Sequence, residues 1–211
     1  PKLDPGYIPM AAFCRAFERS AQQGRELTIA VERNQGCVAV RHCRIHGTPA
    51  MAEADRVYAE RMVKMLLWAY GGFKVYVGGD EAIGEYIAQA YREGGARAFD
   101  ADFMSRVYER PFEVISCPID RVPAAKTAAQ SVGRHLEGCR IGFDAGGSDR
   151  KVSAVVDGVP VYSEEVVWFP KTNSDPSYHY EGILAAFRSA ASKMPRVDAI
   201  GVSSAGIYVD N

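Results

Sequence analysis

The stretch Ile141-Gly-Phe-Asp-Ala-Gly-Gly-Ser-Asp-Arg-Lys-Val-Ser-Ala-Val-Val-Asp-Gly158 decides the fold of the last third of the chain. Apolar residues lie on both sides of a glycine turn, which predicts a strand, a turn that carries a carboxylate, and a second strand. Two successive glycines lack a Cβ atom, so the backbone of this turn can approach a ligand closely. We therefore predict a β-hairpin whose turn can hold a nucleotide phosphate.

Four residues of this hairpin are candidate ligands of a phosphate and its metal ion. Asp144 closes the first strand, where its carboxylate would reach a hydrated Mg²⁺. The N–H groups around Gly146 and Gly147 can point at phosphate oxygens, and the Ser148 hydroxyl adds another donor. The alternative is a hairpin without a ligand, because an acidic glycine turn between two strands is most often only structural.

The hairpin resembles that of the ROK (repressor, open reading frame, kinase) family, which belongs to the superfamily of actin, sugar kinases and Hsp70. The first hairpin of that family carries Asp-x-Gly-Gly-Thr, which Asp144, Gly146, Gly147 and Ser148 match. Further along, residues 197–210 are similar to the family's apolar strand and the glycine-containing loop near its sugar site.

The resemblance covers residues 139–211 and implies an RNase-H-like (actin-like ATPase) unit of βββαβ order that binds ATP and Mg²⁺, with Asp144 at the metal ion. The expected fold class is therefore α/β. The second matching loop supplies the residues that the resemblance places at the acceptor sugar: Ser203, Ser204, Ala205 and Gly206.

Other parts of the family pattern are not found in these 211 residues: the Asn-Asp pair that supplies the catalytic base, the zinc-binding Cys/His motif and the adenosine-binding half. We therefore expect the N-terminal portion of a longer, ATP-dependent carbohydrate kinase-like protein, and we expect that this fragment alone does not turn over ATP. Asp149 stands where family kinases commonly carry Lys. That difference favours the alternative, a non-catalytic sugar-binding or scaffolding protein that keeps the fold.

The composition excludes some classes of partner. A formal net charge of −1 gives no electrostatic footprint for nucleic acid, and no apolar stretch approaches the length that spans a membrane. The five cysteines are scattered without a CxxC pair, which predicts reduced, buried thiols in a cytoplasmic protein rather than metal ligands. The isolated histidines His42, His46 and His135 are interpreted as solvated side chains without a catalytic role.

The sequence that precedes the hairpin is predicted to form a separate α/β domain. We divide the sequence into an N-terminal arm (1–26), an extra domain (27–120), a linker (121–138) and the ROK-like unit (139–211). The extra domain is predicted as strand, strand, helix, strand, helix, strand, and we expect it to modify specificity or to mediate assembly, including that of a homo-oligomer.

Two details of this domain were open to a functional interpretation. In the predicted helix 53–70, Met62, Met65 and Trp68 are assigned to the core because such a stripe at helical spacing is usually packing. Asp80 follows a Gly-Gly pair and is predicted to cap the next helix; the alternative is an anion site at that helix N-terminus.

In the ROK-like unit, strands are predicted over 140–143, 152–156 and 159–168, then a helix that Asp175 or Ser177 caps, and a parallel strand over 198–202. The loop 171–181 is rich in polar and aromatic residues. It either lines a carbohydrate surface or only turns the chain and begins the helix.

Overall fold

The computed structural model describes residues 4–128, 133 and 135–206. These residues fall into two compact units, one up to residue 128 and one from residue 133 onward. Each unit is mixed α/β and contains one mixed four-stranded sheet, and five α-helices are found in the described part of the chain. The predicted α/β class is therefore confirmed.

The first unit contains four strands and four helices, with its strands in the order β2-β1-β3-β4. β1 is antiparallel to β2 and β3, whereas β3 and β4 are parallel. In chain order the elements are α1 (Met10–Ser20), β1 (Arg25–Glu32), β2 (Val38–Ile45), α2 (Ala52–Tyr70), β3 (Lys74–Gly78), α3 (Glu81–Tyr91), α4 (Ala98–Tyr108) and β4 (Glu113–Cys117).

The core of this unit forms where alternate residues of the central strands meet the helices. Leu27, Ile29 and Val31 of β1 have no solvent exposure and pack in one cluster with Tyr58 of α2. The segment predicted as an arm contributes to the same cluster, because Phe17 of α1 is buried and stacks on Tyr58 with ring centroids 4.2 Å apart.

Residues at positive φ and a side-chain cap mark the ends of several elements of this unit. The turn between β1 and β2 holds Gln35 and Gly36 at φ +60° and +63°, and α2 ends at Gly71, which has φ +74°. Asp80 caps α3 by accepting a hydrogen bond from the N–H of Ile83 at 3.1 Å, as predicted. Because its carboxylate occupies that helix terminus, the anion alternative loses its support.

Three predictions for the first unit were wrong. The helix α4 was not predicted, and Met65 and Trp68 are 40% and 48% exposed rather than in the core. The indole N–H of Trp68 donates instead to the buried carboxylate of Asp100 in α4 at 2.8 Å. His46 is not a solvated side chain either, since its imidazole is only 13% exposed.

The second unit contains a three-stranded antiparallel meander, one helix and a parallel strand, in the sheet order β7-β6-β5-β8. The tight turn after β6 places Asp157 and Gly158 at φ +49° and +81°, a conformation that an Asp-Gly pair favours. The elements are β5 (Cys139–Ala145), β6 (Asp149–Val156), β7 (Val159–Val167), α5 (Pro176–Ala191) and β8 (Ala199–Ser204).

The helix α5 covers one face of this second sheet. Ile141 and Phe143 of β5 pack against Ala186 and Ala190 of α5, while the residues between them on β5 point to the opposite face. Asp175 caps the helix by accepting a hydrogen bond from the N–H of Ser177 at 2.9 Å. As a result, the ends of β5 and β8 lie close to the first turns of α5.

No helix in the described residues is long and apolar enough to cross a membrane.

Candidate functional site

The glycine turn between β5 and β6 consists of Gly146, Gly147 and Ser148. Trp168 anchors this turn through two hydrogen bonds. The indole N–H of Trp168 donates to the carbonyl oxygen of Gly146 at 2.8 Å. Its backbone N–H donates to the carbonyl oxygen of Ser148 at 3.1 Å. Trp168 is 4% exposed, so both turn carbonyls are directed at a buried side chain and its backbone.

This anchoring determines where the donor groups of the turn point. In a trans peptide the C=O and the following N–H point in opposite directions, so the N–H of Gly147 is directed away from Trp168. Among the hydrogen bonds of the described residues, none has the backbone N–H of Gly147 or of Ser148 as its donor. The turn therefore presents two backbone donors that a ligand can use.

The two glycines leave space for close neighbours, and neither has a positive φ. A Cβ atom built on Gly146 would lie 2.5 Å from the carbonyl oxygen of Asp149. Because this oxygen belongs to the backbone, the chain itself would have to shift to make room. A Cβ atom on Gly147 would lie 2.8 Å from Cε and 3.1 Å from Nζ of Lys171. The ammonium group of an exposed lysine therefore lies directly over the turn.

A cavity of about 340 Å³ lies beside this turn, where the ends of β5 and β8 meet the first turns of α5. It brings two of the predicted phosphate residues together with two of the predicted sugar residues, and adds side chains from the loop after β7. Its lining residues are Ala145, Gly146, Gly147, Trp168, Pro170, Lys171, His179, Ile183, Ser204 and Ala205.

Asp144 lies on the other face of the sheet. Its side chain alternates with those of Phe143 and Ala145, and it lines a separate cavity of about 520 Å³ on the face that α5 does not cover. The hydroxyl of Ser203, its register partner on β8, donates to Asp144 Oδ1 at 2.7 Å. The structure thus pairs two predicted site residues, but it separates them from the cavity beside Gly146 and Gly147.

The hydroxyl of Ser148 has an acceptor next to the turn. Its Oγ donates to Asp149 Oδ2 at 3.3 Å, and the ammonium of Lys151 bonds to the other oxygen of the same carboxylate. The hydrogen bond from Lys151 is the main reason that the pKa of Asp149 is held below its usual range. Lys151 also lies 3.9 Å from Glu165 and so belongs to a small network of exposed charges.

The predicted sugar residues continue the pairing of β5 with β8. The N–H of Ala205 donates to the carbonyl oxygen of Ala145 at 3.1 Å, and Ser203, Ser204, Ala205 and Gly206 are all exposed. Gly206 has φ +154°. These residues therefore stand at the same end of the sheet as the glycine turn, although only Ser204 and Ala205 line its cavity.

The loop after β7 contributes two site residues that the sequence analysis left open or missed. His179 lies 3.1 Å through Nε2 from the carbonyl oxygen of Pro170 and 3.1 Å through Nδ1 from that of Asp175, which fixes its ring beside the cavity. Lys171 was part of a loop with a general polar character, and no motif connected it to Gly147. The one signal in the sequence was that Gly147 follows β5 and Lys171 follows β7, two strands that both pair with β6.

Within the described part of the chain, no group of three or more His, Cys, Asp or Glu side chains is arranged to hold a metal ion. No protein-family model matches the chain, and no curated protein matches its sequence.

Proposed function

We propose that the second unit is the phosphate-binding part of a ROK-like, ATP-dependent carbohydrate kinase-like protein. Its strand order β7-β6-β5-β8 supports this proposal. Three antiparallel strands, a crossover helix and a strand parallel to the first fit the RNase-H-like arrangement of actin-like ATPases, which the resemblance implied. In that arrangement the turn between the first two strands approaches the nucleotide.

The observation that carries the proposal is the position of Lys171 over Gly147. Two backbone N–H groups without an acceptor in the described residues and one ammonium group converge on the same turn. Backbone N–H groups and lysine ammonium groups are the donors that phosphate sites use most often. Lys171 would supply the positive charge that family kinases commonly place directly after the turn, where this chain has Asp149.

Asp144 lies on the sheet face opposite the cavity beside Gly147, but only two residues before Gly146, so it would hold the Mg²⁺ ion of a nucleotide whose phosphates extend past the end of β5. Mg²⁺ keeps several water ligands and is bound by one or two carboxylates plus phosphate oxygens, so a single half-buried carboxylate near the end of β5 suits it. When bound, the ion neutralises charge on the phosphates. The hydrogen bond from Ser203 fixes the orientation of the Asp144 carboxylate while leaving its Oδ2 atom for a metal-bound water.

The loop of Ser203, Ser204, Ala205 and Gly206 would contribute hydroxyl and backbone groups to the acceptor sugar. Phosphoryl transfer also requires a residue that orients or deprotonates the acceptor hydroxyl, and the proposal assigns no residue of this chain to that role. We therefore assign ATP·Mg²⁺ binding, and not turnover, to the chain itself. A non-catalytic sugar-binding or scaffolding protein is the second candidate, which the carboxylate of Asp149 beside the turn favours.

Calorimetric titration of ATP·Mg²⁺ into the chain and its variants tests the proposal. Lys171→Met should weaken binding by about tenfold or more, because hydrogen bonds to charged groups contribute roughly 1.5–3 kcal/mol. Asp144→Ala should weaken binding of ATP·Mg²⁺ but not that of metal-free ATP. Lys193→Met is the matched control, since Lys193 contacts the ring of Tyr162 and does not line the cavity. If the wild type did not bind, the sugar-binding or scaffolding candidate would remain.

A further inference from the structure

Three side chains of the first unit, Ser20, His46 and Asp55, form a hydrogen-bonded chain. Asp55 Oδ1 lies 3.0 Å from Nδ1 of His46, and Nε2 of the same ring lies 3.0 Å from the hydroxyl oxygen of Ser20. They come from three separate elements: the last residue of α1, the residue that follows β2, and the first turns of α2. None of them belongs to the glycine-turn site.

The surroundings of Asp55 determine which nitrogen of His46 carries the proton. The Asp55 carboxylate is buried and also accepts the backbone N–H groups of His46 at 2.9 Å and Gly47 at 2.8 Å. It lies near the start of α2, where the helix dipole favours a negative charge. A carboxylate only accepts hydrogen bonds, so Nδ1 must donate, and Nε2 of the neutral ring is left as a base that faces Ser20.

The contact with His46 is not needed to satisfy the Ser20 hydroxyl. That hydroxyl already has an acceptor inside its own helix, the carbonyl oxygen of Phe17 at 2.9 Å. Ser192, at the end of α5, makes the same kind of bond to the carbonyl of Ser189 at 2.7 Å without any histidine. The Ser20 hydroxyl carries one proton, so it can donate either to the carbonyl oxygen of Phe17 or to Nε2 of the neutral ring.

Solvent exposure increases from Asp55 through His46 to Ser20. Asp55 is buried, the His46 imidazole is 13% exposed, and Ser20 is exposed. The ring of Phe17 meets the imidazole edge to face with centroids 4.7 Å apart, which restrains its orientation. A buried carboxylate, a restrained imidazole and an accessible hydroxyl are the parts of a base-activated nucleophile.

We propose that Ser20 is a nucleophile for acyl transfer from small carboxylic esters, with His46 as its general base and Asp55 as the residue that positions His46. The Ser20 oxygen bonds to the ester carbonyl carbon while its proton moves to Nε2. The carbon–oxygen bond to the alcohol then breaks, and the alcohol leaves with that proton. Water attacks the acyl-serine and gives its proton to Nε2, after which the carboxylic acid departs and the Ser20 hydroxyl is restored.

The test measures hydrolysis of p-nitrophenyl acetate and covalent labelling by a fluorophosphonate, which loses fluoride when serine attacks it. In the 211-residue chain, both should depend on Ser20, and mass spectrometry should find the label on the peptide that contains it. Ser20→Ala should abolish labelling and the hydrolysis that passes through the acyl-serine, because it removes the nucleophile. His46→Gln should lower both by about a hundredfold, because general-base assistance contributes about 10²–10⁴-fold. Ser192→Ala should change neither.

Two results would overturn the proposal. One is hydrolysis by the wild type no faster than by Ser20→Ala, and the other is equal labelling of Ser20 in the wild type and in His46→Gln. Circular dichroism of each variant shows whether it is folded. Because Ser20 is exposed, its alanine variant is expected to keep the fold and to make the comparison valid.

Discussion

The indole N–H of Trp168 and the carbonyl oxygen of Gly146 are 2.8 Å apart, and this hydrogen bond connects the end of β7 to the turn between β5 and β6. The bond matters for the proposed site because it orients the peptide between Gly146 and Gly147, whose N–H faces away from Trp168.

Trp168→Phe should loosen the glycine turn without unfolding the unit. Phenylalanine keeps most of the buried ring but has no N–H, so Gly146 loses its partner and the second unit loses about 1–2 kcal/mol. Hydrogen exchange should show faster exchange in β5 and β6. Phe169→Leu is the control, since Phe169 is 64% exposed and should be replaced with little effect. Equal exchange in both variants would contradict the anchoring role of Trp168.

Alanine at the two glycines of the turn should give different results. Gly146→Ala should destabilise the second unit by about 1–3 kcal/mol, because its Cβ would meet the backbone oxygen of Asp149. Gly147→Ala should change stability by less than about 0.5 kcal/mol, because the flexible Lys171 side chain can move away, although that move should weaken nucleotide binding.

Urea denaturation in a Trp68→Phe background would measure these effects with Trp168 as the fluorophore. The control is Gly201→Ala, where a Cβ atom would meet nothing within 4 Å. If the Gly146 and Gly201 variants were equally stable, the close approach at the turn would not constrain the fold.

Asp198→Asn should reduce the acid sensitivity of the second unit. Asp198 accepts hydrogen bonds from Arg196 and from the N–H of Cys139, and these bonds, that from Arg196 first, hold the pKa of its carboxyl below the usual value. A lowered folded-state pKa stabilises above the unfolded value of about 3.9, and that stabilisation is lost as the pH falls through the folded-state pKa.

Asp198→Asn should therefore be less stable than the wild type at pH 7. The difference between their free energies of unfolding should become smaller toward pH 2. Urea denaturation at several pH values measures both quantities. If the difference in free energy of unfolding stayed constant from pH 7 to pH 2, the charge of Asp198 would contribute nothing to the stability of the unit.

In the first unit, Arg97→Met should lower the free energy of unfolding, because it leaves the buried carboxylate of Glu60 without its cationic partner. The Glu60 carboxylate, whose side chain is 10% exposed, accepts from Arg97 Nε at 2.7 Å and from Tyr86 at 2.9 Å. Removing one member of such a buried pair costs about 3–5 kcal/mol. Combining Arg97→Met with Glu60→Leu should recover part of that loss, as measured by urea denaturation followed by circular dichroism. A double variant that is less stable than Arg97→Met alone would contradict this explanation.

The strands of the second unit were predictable because local signals agree with the final pairing. Glycine at 146 and 147 and the Asp157-Gly158 pair mark the ends of the strands, and the apolar residues between them alternate toward one covered face. In the first unit α4 was missed because Asp100, a charged residue, occupies a buried position of its inner face and interrupts the apolar stripe. Only its partners Lys64 and Trp68 explain that burial, and these lie on another helix.

The sites were less predictable than the strands because they depend on contacts between distant segments. The residues of the glycine turn are visible as a motif, but Lys171 reaches Gly147 only through the pairing of β6 with β7 and the path of the loop that follows. Likewise, no local pattern connects Ser20 with His46, since α1 and the end of β2 meet only in the packed unit.

The most direct test of the central claim is a titration of the ¹⁵N-labelled chain with ATP·Mg²⁺, followed by NMR through the backbone amides. We predict that the amide resonances of Gly147 and Ser148 shift the most, and that those of Gly158, in the turn at the opposite end of β6, stay in place. In Lys171→Met the same shifts should require a higher nucleotide concentration. Unchanged Gly147 and Ser148 resonances at saturating nucleotide would contradict the claim that this turn binds phosphate.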